Sequence, residues 1–174
     1  MQEFQLGDHD LGQNIESIYL KDVNKKFRDL KSQAERALVQ VRDEELPVAI
    51  NEGSNSITVL MKHISGNMIH LWTEPLAPLE EKPPRKRDEE FIVLEDDTKV
   101  KVFERWEEAW STFFKTLSLL TAEDLTKNMT HARRTYTLLE GLNLQFVHYG
   151  EHIGQIISLA KYFRGKEWKP IGFI

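Results

Sequence analysis

Four long stretches of this chain carry apolar residues at the three- and four-residue steps of an α-helix, and that period leaves few architectures open. The first runs from about Leu11 to Asp43, through Ile15, Ile18, Tyr19, Phe27, Leu30, Ala34, Leu38 and Val41, with Pro47 beyond it. The second begins at Ser54-Asn55-Ser56, whose side chains suit a helix N-cap because they accept from the first unpaired amides. It carries Ile57, Leu60, Met61, Ile64, Met68, Leu71 and Trp72 and stops before Pro75. The third starts near Asp97-Thr98 and contains Val102, Phe103, Trp106, Trp110, Phe113, Phe114 and Leu117, with the two tryptophans on a core stripe. The fourth spans about Thr135 to Phe163, and Gly165 is its natural stop. Four such segments predict an all-α fold, a four-helix bundle in which each helix buries one stripe against its neighbours.

The connections are unequal. The stretch from Glu80 to Asp97, between the second and third helices, is long and highly charged, and within it only Phe91 to Leu94 reads as extended. Its Arg85-Lys86-Arg87 run is followed by Asp88-Glu89-Glu90, the pattern of a solvated, salt-bridged loop. A short helical turn is expected at Ala122 to Leu125. No internal repeat or Ser/Gly linker divides the chain, so residues 1–174 read as one helical-bundle domain.

Cysteine is absent, which excludes disulfide scaffolds, thiolate metal sites and cysteine nucleophiles. The 23 Lys and Arg against 28 Asp and Glu give a net charge of -5, without the basic excess of a nucleic-acid binder. Apolar runs fall far short of the roughly 20 residues a membrane span needs. The first residues show no basic region followed by an apolar stretch, so the sequence predicts a cytoplasmic protein. Any metal must be held by nitrogen and oxygen.

Six histidines supply the nitrogen. In His148-Tyr149-Gly150-Glu151-His152, two of them stand four residues apart. On a helix that spacing separates side chains by ~40°, with Cβ atoms roughly 5–6 Å apart, so both rings reach one ion. The stripe Leu144, His148, His152, Ile156, Leu159 is expected to face inward. His63 lies among apolar residues on the second helix, with Asn67 and His70 continuing its face. Alone, His63 would read as a hydrogen-bonded core histidine. Packed beside the fourth helix, it completes a three-histidine set with positions open for water or substrate, the catalytic form of zinc coordination. Nickel and iron also suit imidazole. His9 and His131 sit in polar surroundings and are expected at the surface.

Other motifs fail. A di-iron bundle needs Glu-x-x-His repeats, and no histidine here has a glutamate three residues before it; Gln145 precedes His148. His-x-x-Glu-His matches the inverted zinc-protease string, but Glu167 is the sole side-chain carboxylate after His152. Glu151 lies ~100° from His152, toward a flank or solvent. Nucleophile elbow, P-loop and dinucleotide fingerprint are all missing.

With these residues in view, the chain resembles the DinB-like (YfiT-like) metalloenzyme superfamily, and within it a branch of small bacterial proteins. The carriers are Asn55-Ser56-Ile57 through His63-Ile64-Ser65-Gly66-Asn67-Met68, and Glu81-Lys82-Pro83 with Arg85, Arg87, Asp88, Glu90 and Phe91. The third is His148-Tyr149-Gly150-Glu151-His152-Ile153-Gly154-Gln155-Ile156. The resemblance implies a four-helix bundle holding a divalent metal, zinc or nickel or else iron, on His63, His148 and His152. It further implies a metal-dependent transferase or hydrolase using a low-molecular-weight thiol such as bacillithiol or mycothiol, and a homodimer. Glu80, Pro84, His70, Leu71 and the ending Lys169-Pro170-Ile171-Gly172-Phe173-Ile174 depart from that branch while leaving the three histidines intact.

The expected chemistry is a thiol or water activated at the metal and directed at an electrophilic substrate, without nucleic acid or membrane as partner. Asn67 and Gln155 are candidates for contacting the ligands or the substrate, and His70 is an outside candidate for proton transfer. The alternative is a noncatalytic bundle, either metal-stabilised or binding a small ligand.

Overall fold

The structure is a computed structural model that describes residues 14–131 and 134–172. The described residues are mostly helical, at 68% helix, with five helices and one small two-stranded sheet among them. The long helices are α1 (Ile15–Leu38), α2 (Ile57–Trp72), α4 (Lys99–Leu119) and α5 (Leu138–Arg164). A single turn, α3 (Arg87–Glu90), interrupts the charged connection. The expected start near Leu11, and His9, lie outside the described residues.

Capping decides the helix starts. The side chains of Asn14, Ser56, Thr98 and Thr137 each accept from a first-turn amide, satisfying donors that have no carbonyl in the helix. At α5 the bond is reciprocal, since Glu140 Oε2 accepts from the Thr137 amide at 2.8 Å. Gly165, at φ 51°, ends α5 in a backbone region that favours glycine.

Two boundaries differ from the periodic reading. α1 stops at Leu38 rather than Asp43, because Gln40 and Val41 bond back to the carbonyls of Ala37 and Leu38 in a tighter turn. The turn tucks Val41 and Leu46 into the core and delivers Glu45 to Arg42 and Arg164. Thr135 is not helical. Residues Asn128–His131 (β1) and Arg134–Thr137 (β2) pair antiparallel, with Met129 opposite Tyr136. Thr130, Thr135, Tyr136 and Thr137 suit a pleated surface. Phe91 to Leu94, the expected extended stretch, forms no strand. The expected turn appears as a 3₁₀ helix at Ala122–Thr126.

Helix directions follow from named contacts. Tyr19 bonds Asn143 and the Phe27 ring meets Phe146 and Tyr149, so α1 and α5 run parallel. Asn67 bonds Tyr149, and the α2 entry is tied to the turn that follows α1 by Thr58 N–H donating to the Leu46 carbonyl, so α2 runs opposite to both. Lys62 pairs with Asp97 at one end and Thr116 bonds the Trp72 carbonyl at the other, so α4 runs parallel to α2. Parallel neighbours require a long crossover, which is what residues 73–98 provide. The core is aromatic where the helices meet. Phe27, Trp72, Trp106, Trp110, Phe113 and Tyr149 are all fully buried, and the Phe27 and Phe113 rings stand 4.5 Å apart edge-on.

Candidate metal centre

α2 and α5 bring His63, His148 and His152 together, with one ligand nitrogen from each lying within 4.8 Å of the others. The ring centroids are 5.2, 4.9 and 4.7 Å apart. His63 is buried, while His148 and His152 are half-buried. The expected inward stripe explains the difference. Each four-residue step advances ~40° around the helix, so the stripe drifts from exposed Leu144, through the two histidines, to buried Ile156 and Leu159. Leu144 is therefore a solvent residue, not an inward one. The drift also sets His148 and His152 at the core's rim, half-buried.

In each ring Nδ1 has an oxygen partner. His63 Nδ1–H donates to Glu90 Oε2 at 3.1 Å, because a carboxylate only accepts. His148 Nδ1–H donates to Gln145 Oε1 at 3.1 Å, and His152 Nδ1–H to Gln155 Oε1 at 3.3 Å. These bonds select the tautomer with a lone pair on Nε2 in all three rings. His63 and His148 then face each other Nε2 to Nε2 at 3.1 Å. Two lone pairs so close repel unless a proton or a cation lies between them. Burial, followed by the neighbouring His152 and His63, pushes His148 down to about 3. His152 is lowered as well, chiefly by burial. Neutral imidazole is the form that binds a metal.

The charged crossover is not merely solvated. Arg85 grips Glu90 with two bonds of 2.7 Å, and both side chains are largely buried against His63. Burial alone would raise Glu90, but the bonds from His63 and Arg85 outweigh it and hold the carboxyl below its ordinary value. Phe91 lies 4.8 Å from the His63 ring, centroid to centroid, as a partial roof. His131, expected at the surface, is half-buried; burial first, then Arg85, His70, Lys82 and Arg87, lower its pKa. The hairpin carries it inward, which no local pattern signals.

Gln155 thus supports His152. Asn67 instead accepts from Tyr149 Oη at 2.7 Å, inside the core. His70 donates from Nδ1 to the Pro83 carbonyl at 2.6 Å and pins the crossover, and helical rise sets it about 10 Å along the axis from His63. Glu151 and Glu167 are exposed and do not belong to the three-histidine cluster. Periodicity does not reach Gln145, Glu90, Arg85 and Phe91. The i−3 position of Gln145 before His148 is the one local signal among them, since that spacing shares a helix face.

No curated protein and no solved structure matches the chain. A family model described as "Protein of unknown function (DUF1572)" matches residues 14–173, nearly the whole length. The chain, with its three-histidine cluster between α2 and α5, belongs to that family.

Proposed function

We propose that this chain is a DinB-like four-helix-bundle metalloenzyme that holds a divalent ion on His63, His148 and His152. One observation carries the reading. All three Nδ1–H groups are bound by acceptor oxygens of Glu90, Gln145 and Gln155, which leaves the Nε2 lone pairs for an ion in a cluster whose ligand nitrogens lie within 4.8 Å of one another. The set fits an ion of the zinc, nickel or iron class, because imidazole suits all three. Three protein ligands leave positions for a small molecule. When bound, such an ion supplies Lewis acidity, which lowers the pKa of a thiol or a water.

The chain's own residues orient the ligands and limit water. Gln145 and Gln155 hold the α5 rings, Glu90 holds His63, and Phe91 covers one side. With no cysteine, sulfur chemistry here would use a low-molecular-weight thiol of the bacillithiol kind against an electrophilic substrate. His70, with Nδ1 committed to Pro83, keeps only Nε2 for proton transfer, and only toward the far part of a substrate. Asn67 acts through Tyr149 rather than on substrate. A cytoplasmic homodimer completes the reading, and no helix among the described residues is long and apolar enough to cross a membrane.

A second reading, a metal-stabilised noncatalytic bundle, is favoured by the tie from the crossover to His63 through Glu90. Metal analysis of gently purified protein, followed by thermal unfolding with and without chelator and a screen of small thiols, tests both. One equivalent of divalent metal per chain is expected. His148→Ala should lose most of it, and His131→Ala should keep it. Failure of the wild type to take up metal, or equal occupancy in the two variants, refutes the site. Thiol binding that disappears with the metal while thermal stability persists selects the enzyme. A collapse of stability without thiol binding selects the structural protein.

A further inference from the structure

We propose that Glu90, clamped by Arg85 and accommodated by Gly66, is the positioning residue of the metal centre and links the crossover to metal occupancy. This rests on the reading of His63, His148 and His152 as ligands.

Glu90 comes from the end of α3, 27 residues from His63 in sequence, yet its carboxylate is buried against the helix that carries His63. A buried carboxylate needs a compensating partner and filled acceptor positions. Arg85 supplies both, with Nε on Oε1 and Nη2 on Oε2 at 2.7 Å each. Arg85 Nη2 also lies 3.3 Å from His63 Nδ1, so the guanidinium, the carboxylate and the imidazole form one cluster. The remaining capacity of Oε2 is turned to His63 Nδ1–H. That bond fixes the ring's rotation and tautomer and strengthens its donation from Nε2, the role carboxylates serve behind metal-binding histidines.

Space for the carboxylate is built into α2. A Cβ at Gly66 would overlap Glu90 Oε1 and stand 2.8 Å from its Cδ. Glycine weakens a helix interior, and here its missing side chain is the notch in which the carboxylate rests. Gly66 follows His63 by three residues and shares its face. The helix thus presents the ligand and, one turn on, the opening for the group that orients it. Lys62 and His70, on the same helix, bind the crossover at Ile92 O, Asp97 and Pro83 O. These contacts set α3 in place.

The notch provides a variant that displaces the carboxylate without deleting it. In Gly66→Ala the added methyl meets the far end of the Glu90 side chain, and alanine is the better helix former. Zn2+ affinity should be measured by chelator competition in wild type, G66A, E90A and E90Q, beside the melting temperature of each metal-free protein and the visible spectrum of its Co2+ form. G66A should bind Zn2+ about 10–100-fold more weakly than wild type, with an altered Co2+ spectrum and a loss of affinity larger than any fall in its metal-free stability. E90A should weaken binding at least as much, and E90Q, which keeps an uncharged acceptor, should fall between. Zn2+ should slow amide exchange over residues 87–90 in wild type and not in G66A. Wild-type affinity and spectrum in G66A and E90A overturn the proposal while leaving the metal site standing. Losses of affinity that only track losses of metal-free stability also overturn it. A wild type that takes up no Zn2+ removes both readings.

Discussion

Tyr149→Phe is the sharpest single-atom perturbation that the core allows. The Tyr149 hydroxyl accepts from Trp72 Nε1–H at 3.1 Å and donates to Asn67 Oδ1 at 2.7 Å. Trp72 and Tyr149 are fully buried, and Asn67 is 1% exposed. Removing the oxygen deletes two hydrogen bonds and leaves an indole donor and an amide acceptor without those partners. Each orphaned buried group costs about 1–3 kcal/mol, so the expected loss for the two is about 2–6 kcal/mol. That is a large share of a domain stability of about 5–15 kcal/mol. Urea unfolding of wild type and variant should show the midpoint falling with an unchanged slope; a slope of about 1–3 kcal/mol/M turns the loss into a shift of order 1–3 M. Metal affinity under native conditions should stay at the wild-type value, since no metal-facing atom is touched. A stability loss under about 1 kcal/mol would refute the reasoning, because Trp72 and Asn67 would then have found other partners. A fall in metal affinity larger than the fall in stability would instead make this network a support of His148.

Two further outcomes follow from the packing and the charges. At Gly141, on the inner side of α5, a Cβ would overlap the Met129 sulfur, and Met129 is 1% exposed. Overpacking costs about 1–3 kcal/mol and alanine returns about 1 kcal/mol of helix propensity, so Gly141→Ala should destabilise by up to about 2 kcal/mol in thermal or urea unfolding; a clear gain in stability would refute the contact. One contribution to the pH dependence comes from His148, which burial, then His152 and His63, lowers from 6.5 to about 3 in the metal-free protein. Between those values the unfolded chain binds a proton that the folded chain does not, so stability falls as pH drops from 6.5 toward 3 and is unaffected by this group above 6.5. His148→Asn should flatten that part of an acid-unfolding curve, and an unchanged slope would refute the burial effect.

Much of the helical framework was legible because periodicity and caps are local. Ser56 and Thr98 start α2 and α4 where the sequence places them, and Gly165 ends α5. The early stop of α1 was not legible, since Gln40 and Val41 fit the helical pattern and the turn is stabilised by contacts of Glu45 with Arg164, distant in sequence. The hairpin was hidden for a related reason. Residues 128–137 have too few positions to display a period, and their pairing is fixed by Met129 packing at Gly141 and by the capped start of α5.

The sequence by itself determined the donor chemistry and half of the site. Absence of cysteine restricts ligands to nitrogen and oxygen, and a four-residue spacing puts His148 and His152 on one helical face whatever the rest of the chain does. Tertiary structure decided the other half. Parallel packing of α2 and α4 forces the crossover back across α2, which carries Arg85 and Glu90 from a run that reads as a solvated loop into the notch at Gly66. It also turned α5 so that the histidine pair lies at the rim, between exposed Leu144 and buried Ile156. Which nitrogen of each ring is left for an ion follows from oxygen atoms of Glu90, Gln145 and Gln155, and only the first of these comes from far along the chain. Local spacing fixes which residues share a face, whereas burial and tautomer depend on what the neighbouring elements bring against that face.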